Sequence, residues 1–230
     1  MATTTTTATG GEDEVFDESP GETPAGHGLS PVTTTGVSNE KLAMWSFLGS
    51  ECLLFGALIS TYFLYRGRSV SGPGPKQIYD IPYTSVSSFV LLMSSLTMVL
   101  ALAAIQRGDH RRLRLWLTAT ALLGTVFVGG QVYEFTEFIH EGLTVRTNLF
   151  GSSFFVLTGF HGVHVTIGIM MLMSLVIMSA KGRLPQSKAQ VVEIIGLYWH
   201  FVDVVWIVIF TVVYLIPAPV THVIPPLQIR

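Results

Sequence analysis

The sequence predicts an all-α, polytopic membrane protein: a bundle of five transmembrane helices behind a disordered N-terminal tail. Three observations carry that prediction. Hydrophobic residues make up 49% of the 230-residue chain and charged residues only 12%, against roughly 25% charged in a soluble domain. The mean hydropathy is +0.53. The apolar residues also gather into five long runs separated by short polar breaks.

The first element is the tail, residues 1–40. It carries seven acids (Glu12, Asp13, Glu14, Asp17, Glu18, Glu22, Glu40), no Lys or Arg, and otherwise mostly Thr, Gly and Pro. Such a segment cannot bury enough apolar surface to offset its ordering entropy, so it is expected to be disordered. It has neither a basic n-region nor an apolar h-region and does not read as a secretory signal. The net charge of −2 thus hides a body with 13 basic against eight acidic side chains. With 13 Lys and Arg against 15 Asp and Glu overall, the chain lacks the basic field that nucleic acid requires, and no nucleic-acid partner is expected. Cys52 is the only cysteine, which excludes an internal disulfide and any CxxC redox or zinc motif.

The body, residues 41–217, contains apolar runs at about 42–65, 82–105, 115–138, 150–179 and 191–216. Each reaches the roughly 20 residues that carry a helix across about 30 Å of hydrocarbon. Backbone polar groups cannot stay unpaired in lipid, so these runs are helices. The breaks RGRSVSGPGPKQIYD, QRGDHRRLR, HEGLTVRTN and KGRLPQSKAQ are polar. No internal repeat of the transporter kind is visible. Lys41, Arg107, Arg111, Arg112, Arg114, Lys181, Arg183 and Lys188 fall on the N-terminal side, and Arg66, Arg68, Lys76, Arg146 and Arg230 on the other. The excess predicts a cytoplasmic N-terminus and a short extracytoplasmic tail at 218–230.

Ionisable groups within a span are costly, so each needs a reason. At 1.5 Å per residue, Glu51 lies about 13 Å from the cytoplasmic edge, His164 about 9–12 Å and His161 about 13–16 Å. On the fifth helix His200 falls near 13 Å and Asp203 near 18 Å. Five groups from three helices therefore share one layer. His161 and His164 are three apart, as are His200 and Asp203, so each pair is expected on one helix face. Glu51 is expected to meet a histidine of the fourth helix. Its small neighbours Gly49, Ser50, Cys52 and Gly56 are expected to admit a neighbouring helix closely.

Three readings are open for the layer. His-x-x-His with carboxylates suits iron or zinc, but bundle di-metal sites use Glu-x-x-His pairs with four carboxylates in one layer. Here Glu134 lies near the outer edge and Glu193 near the inner one, so no metal is expected. A proton or ion path needs a polar ladder through the membrane rather than a layer. Polar contacts that lock helices together are the plainest reading. The Met and aromatic stripes read as helix-packing or lipid-facing surface, and Trp199 and Trp206 as buried or interfacial anchors. Lys181 and Arg183 could hold phospholipid head groups, though snorkelling alone also accounts for them. No nucleophile elbow, P-loop or dinucleotide fingerprint occurs.

Two C-terminal motifs, TGFHGVHVTIG (158–168) and LYWHFVDVVWIVIFTVVYL (197–215), closely resemble subunit III of the haem-copper respiratory oxidases. The resemblance extends through QVYEFTEFIHEG (131–142), SGPGPKQIYDIP (71–82) and FLGSECLLFGALISTYF (47–63), and covers essentially residues 41–217. It implies a non-catalytic partner of subunits I and II, which hold the haem and copper. That partner supports proton uptake by subunit I, protects it during turnover, and holds phospholipid. It implies no cofactor on this chain itself. Glu51 falls on the family's buried carboxylate, His161 and His164 on its paired histidines, Glu134 on its outer-edge glutamate, and Glu193 also matches. The chain lacks the first two helices of the seven-helix mitochondrial form and resembles the five-helix bacterial type. Met178 stands where the family can use a basic residue for lipid, leaving Lys181 and Arg183 nearby.

The expectation is therefore a terminal cytochrome c oxidase subunit in a bacterial cell membrane, coupling electron transfer to oxygen with proton pumping. Three alternatives stand beside it: subunit III of a quinol oxidase, an accessory subunit of nitric oxide reductase, and an independent channel or transporter. In the quinol branch an acid one methylene shorter is common at the Glu51 position, so Glu51 leans towards cytochrome c. The sequence leaves open the donor, the lipids, the role of the tail, and whether Glu51 moves protons or only packs.

Overall fold

The structure is a computed structural model that describes residues 38–66, 81–142, 144–146 and 149–216. The rest of the acidic tail and the 218–230 tail lie outside the described residues. Among the described residues five α-helices follow one another: α1 (Asn39–Tyr65), α2 (Ile81–Gln106), α3 (His110–His140), α4 (Leu149–Ala180) and α5 (Ala189–Phe210). A 3₁₀ turn (Gln186–Lys188) leads into α5, and a π-helical turn (Thr211–Leu215) continues it. All five are long and apolar enough to cross a membrane, as expected.

Two boundaries move. Asn39 and Glu40, assigned to the tail from sequence, open α1, where Glu40 sits in the first turn and its charge complements the helix dipole. The third helix begins at His110, not near 115. The cause is a local cap: Asp109 Oδ1 accepts from the backbone N–H of Arg111 at 3.2 Å and of Arg112 at 3.0 Å. That satisfies two of the helix's orphan donors. The N–H of Arg112 holds the Asp109 carboxyl below its ordinary pKa. Just before the cap, Gly108 turns the chain at φ +73, a conformation that favours glycine. The turn is tied to the start of α5, because Gln186 Nε2 donates to the Gln106 carbonyl at 2.5 Å.

Helices α2 and α5 pack along a seam that fixes their register. Trp206 Nε1 donates to Ser88 Oγ at 2.8 Å, and Trp199 Nε1 to Ser94 Oγ at 2.9 Å. As the number on one helix rises it falls on the other, so the two are antiparallel. The Trp199 indole also fills a slot between α3 and α4. A Cβ at Gly124 would stand 2.5 Å from it, and one at Gly168 2.8 Å. Only glycine leaves that space, so Trp199, 1% exposed, is the core's central side chain.

Helix α1 is held differently. Only Phe55 and Tyr62 are buried along it, and it reaches the bundle through side chains. Phe47 stacks on Tyr198, Phe55 meets Phe201 and His164 edge-on, and Tyr62 meets Phe150. The expected close approach of a helix at Gly49 and Gly56 does not occur among the described residues. A Cβ at either would meet nothing within 4 Å, and Ser50 and Cys52 are exposed. Gly49, Cys52 and Gly56 follow one another on the side of α1 turned away from Phe55, and among the described residues nothing covers that side. The hydroxyls along α1 satisfy themselves locally, with Ser50 donating to the Phe47 carbonyl, Ser60 to Gly56 and Thr61 to Ala57. That back-bonding lets small polar side chains face an apolar surround.

Candidate functional site

The five residues of the polar layer divide into three places. The first joins α1 to α4. Glu51 Oε2 lies 3.1 Å from His164 Nε2, with both side chains largely buried. The opposite ring nitrogen, Nδ1, lies 2.7 Å from the Phe160 carbonyl. A carbonyl only accepts, so Nδ1 carries a proton. The imidazole is thereby clamped between one turn of its own helix and the Glu51 carboxyl group, with one proton held between Nε2 and Oε2. Tyr198 of α5 closes the corner by donating to the His164 carbonyl at 3.0 Å.

The second place is His161, which is fully buried. Its ring stacks on Trp206 with centroids 4.9 Å apart and meets Phe127 edge-on at 5.9 Å. Neither ring nitrogen has a hydrogen-bond partner among the described residues. His161 and His164 have the spacing of one helix face, but their rings do not share a neighbour. Three residues advance a helix by 300°, so the two rings diverge by about 60°. On a helix packed on several sides that is enough to send one ring to α1 and the other into the core.

The third place joins α5 to α2. Ser95 Oγ lies 2.9 Å from His200 Nδ1 and also donates to Asp203 Oδ2. Asp203 is 3% exposed, and its second oxygen, Oδ1, is buried without a hydrogen-bond partner among the described residues. His200 and Asp203 do share a face, because a single small side chain of α2 meets both.

The outlying carboxylates occupy the two ends of the bundle. Glu193 Oε1 pairs with Lys41 Nζ at 2.7 Å, linking the starts of α1 and α5. Glu134 is buried. It accepts from Thr84 Oγ1 at 2.8 Å and from the Tyr214 hydroxyl at 3.1 Å, joining the end of α3 to the start of α2 and the π-helical turn. Lys181 and Arg183 are exposed just beyond α4. Among the described residues, no three His, Cys, Asp or Glu side chains converge in a way that would hold a metal ion.

Sequence reasoning missed the contribution of α2. That helix carries no Asp, Glu, Lys, Arg or His, so a search for ionisable groups passed over it. Yet Thr84, Ser88, Ser94 and Ser95 receive or bridge every polar group that α5 and Glu134 turn towards it. The signal was present as spacing: 84, 88, 91, 94 and 98 recur at helical period, and all are buried. Serines on the buried stripe of a transmembrane helix mark a packing seam.

Comparison with known proteins gives a consistent result. A family model described as cytochrome c oxidase subunit III matches residues 27–217. The chain is 41% identical over 177 residues to the cytochrome c oxidase subunit 3 of Bacillus sp. (strain PS3), covering 77% of this chain and 86% of that one. It is 42% identical over 175 residues to the quinol oxidase subunit 3 of Bacillus subtilis (strain 168), covering 76% and 85%. The cytochrome c oxidase subunit 3 of the same strain is 40% identical over 185 residues, covering 80% and 89%.

Proposed function

This chain belongs to the cytochrome c oxidase subunit III family, and from that premise we propose that it is the non-catalytic third subunit of a terminal cytochrome c oxidase. Family membership makes it part of a multi-subunit, membrane-bound oxidoreductase complex. In the proposed assembly haem and copper belong to subunits I and II. This chain packs beside subunit I, stabilises it and supports its proton uptake. The complex lies in a bacterial cell membrane with this chain's N-terminus in the cytoplasm, following the Lys and Arg excess on that side.

One observation carries the structural part of this reading: the open face of α1. Gly49 and Gly56 have free space above them, while Trp45, Leu53 and Phe63 project outward. Small residues beside large apolar ones suit a helix that packs against another membrane protein. An acyl chain of a bound phospholipid fits the apolar groove of about 320 Å³ between α3 and α4, floored by Gly159 and Gly162 beside Gln131. The polar groups of the layer hold helices in register. His161, His164 and His200 each turn to a different neighbour, Trp206, Glu51 and Ser95.

The quinol reading has its own support, because the relatives named quinol oxidase subunit 3 match at 42%, no worse than those named for cytochrome c. The donor is a property of subunit II, and identity in this chain does not separate the two. The test is a gentle detergent purification through a tag on this chain, read by a reduced-minus-oxidised optical spectrum. Haem bands with co-eluting larger subunits are expected, and oxidation of reduced cytochrome c rather than a quinol then names the donor. A colourless chain that captures no haem protein under any mild detergent would count against the oxidase reading.

A further inference from the structure

We propose that Ser95, His200 and Asp203 form a proton relay, which carries one proton from a surface cavity beside Glu193 to a buried store on Asp203. A cavity of about 210 Å³ lies between α2 and α5, and its lining includes Glu193, Gly196 and His200. These residues follow one another up one face of α5, so Glu193 and His200 stand about 10 Å apart along the axis, with Asp203 about 5 Å further in. Gly196 keeps the passage open, since a Cβ there would stand 3.1 Å from the Met98 methyl. At the mouth Glu193 is paired with Lys41 and partly exposed. His200 is half-buried and lines the cavity, while its Nδ1 meets Ser95 of α2. The ring therefore has one edge in the core and one towards the surface.

Hydrogen counting then sets the chemistry. Ser95 has one hydroxyl proton and stands between a ring nitrogen and a carboxylate oxygen. Two arrangements satisfy all three groups on the same heavy-atom positions. In the first, Asp203 is ionised, Ser95 donates to it, and His200 donates to Ser95 from Nδ1, leaving Nε2 as an open acceptor. In the second, Asp203 is protonated and donates to Ser95, Ser95 donates to His200 Nδ1, and Nε2 carries the ring's hydrogen.

Passing from the first to the second takes one proton onto Nε2 from water in the cavity. The Nδ1 hydrogen moves to Ser95 Oγ, and the Ser95 hydrogen moves to Asp203 Oδ2. One N–H bond forms at Nε2, one breaks at Nδ1, and the serine exchanges one O–H for another. The single added charge neutralises the carboxylate. No side chain has to move, and the imidazole ends neutral.

The surroundings make Asp203 the end of the line. Oδ1 is buried with no hydrogen-bond partner among the described residues, which supply the carboxylate with no second hydrogen bond to hold its charge. From α2, Ser95 alone reaches it, and the one ionisable side chain of that helix, Tyr83, lies about three turns away. From α4, His161 rests on Trp206 and His164 is taken by Glu51 of α1. No fixed cation among the described residues faces Asp203, and Lys41 is held at the cavity mouth.

The test uses the purified complex and reads the infrared carbonyl band of a protonated carboxyl after an acid pH jump, with aspartate carboxyls isotopically labelled. A band is expected to rise in the unaltered protein and to be missing in Asp203→Asn. In Ser95→Ala the band is expected to reach the same height about a hundredfold more slowly, the usual scale of losing a positioned proton carrier. A band untouched by Asp203→Asn, or a rise in Ser95→Ala as fast as in the unaltered protein, overturns the relay. Should Asp203→Asn fail to assemble, the Ser95→Ala kinetics still decide. The readout is a vibration of this chain's own carboxyl, so it holds whichever donor the complex uses. Failure of the oxidase reading would show in the haem spectrum instead.

Discussion

Helices α1 and α5 run in the same direction through the same bundle, yet the chain holds them in opposite ways. Within the crossing segments, 44% of α5 residues are buried against 6% for α1. Helix α5 is locked by shape, with two indoles on serines of α2 and one of them seated between the glycines of α3 and α4. Helix α1 is pinned at points: Lys41 on Glu193, Glu51 on His164, and four aromatic contacts. Lipid tails are as apolar as leucine, so hydrophobicity does not draw helices together and the quality of packing decides. By that measure α5 belongs to the chain's own core, whereas α1 gives most of its surface to something outside the chain.

The comparison breaks most sharply at Trp199. Trp199→Ala empties a slot contacted from α3 and α4, and the loss of packing for a buried tryptophan is about 3–5 kcal/mol. Denaturant titration of the purified complex is expected to show that loss as early release of this chain. A midpoint within error of the unaltered protein would remove α5 from the core. Adding a methyl sharpens the same contrast. Gly168→Ala puts a Cβ 2.8 Å from the Trp199 ring and is expected to cost about 1–3 kcal/mol through overpacking. Gly49→Ala meets nothing among the described residues and is expected to leave the isolated chain within about 0.5 kcal/mol. In the assembled complex that equality ends if subunit I covers the α1 face, and the difference between the two preparations reads the contact directly.

Glu51→Gln probes a pin rather than the core. The amide has the same shape and can still meet His164, and interhelical polar contacts in a bilayer average about 0.6 kcal/mol. The expected cost is below about 1 kcal/mol, with assembly and the haem spectrum intact and sustained turnover altered modestly. Loss of haem from the variant complex would instead make Glu51 part of what holds the catalytic subunits.

Much of the fold was legible because a membrane leaves few choices. Runs of apolar residues longer than a bilayer must be helices, so their number follows from hydropathy alone. The depth estimate also brought Glu51 and His164 near one another, because both depend only on rise per residue. Azimuth was not legible in the same way. Whether His161 points with His164 or into the core depends on which helices surround α4, and a single helix's spacing does not carry that information. The α2 serines were overlooked for a related reason: a hydroxyl can satisfy itself on its own backbone, so its presence alone does not announce a partner. The acidic tail and the loop between α1 and α2 remain expectations from composition.

The smallest expected effect lies at the turn that feeds both regions. Asp109 caps α3 and is drawn below its ordinary pKa chiefly by the Arg112 N–H, and the same turn accepts Gln186 from the start of α5. A carboxylate whose folded pKa is depressed contributes stability that is fully present above its unfolded value, about 3.9, and is lost as pH falls through the folded value. Asp109→Asn keeps a capping oxygen, since asparagine caps about as well as aspartate, but it cannot titrate. The two proteins are expected to differ little in acid, where the native carboxyl is itself neutral. At neutral pH the native turn gains only the charge-assisted part of the cap and its contact with Arg112 at 3.2 Å. Amide exchange at Arg111 and Arg112 measures this locally. Protection that falls with acid in the native chain, but stays level in Asp109→Asn, is the expected pattern. The same fall in both would assign the acid sensitivity to another group, and protection lost along α5 as well would mean that the turn, and not only the tryptophans, holds that helix in place.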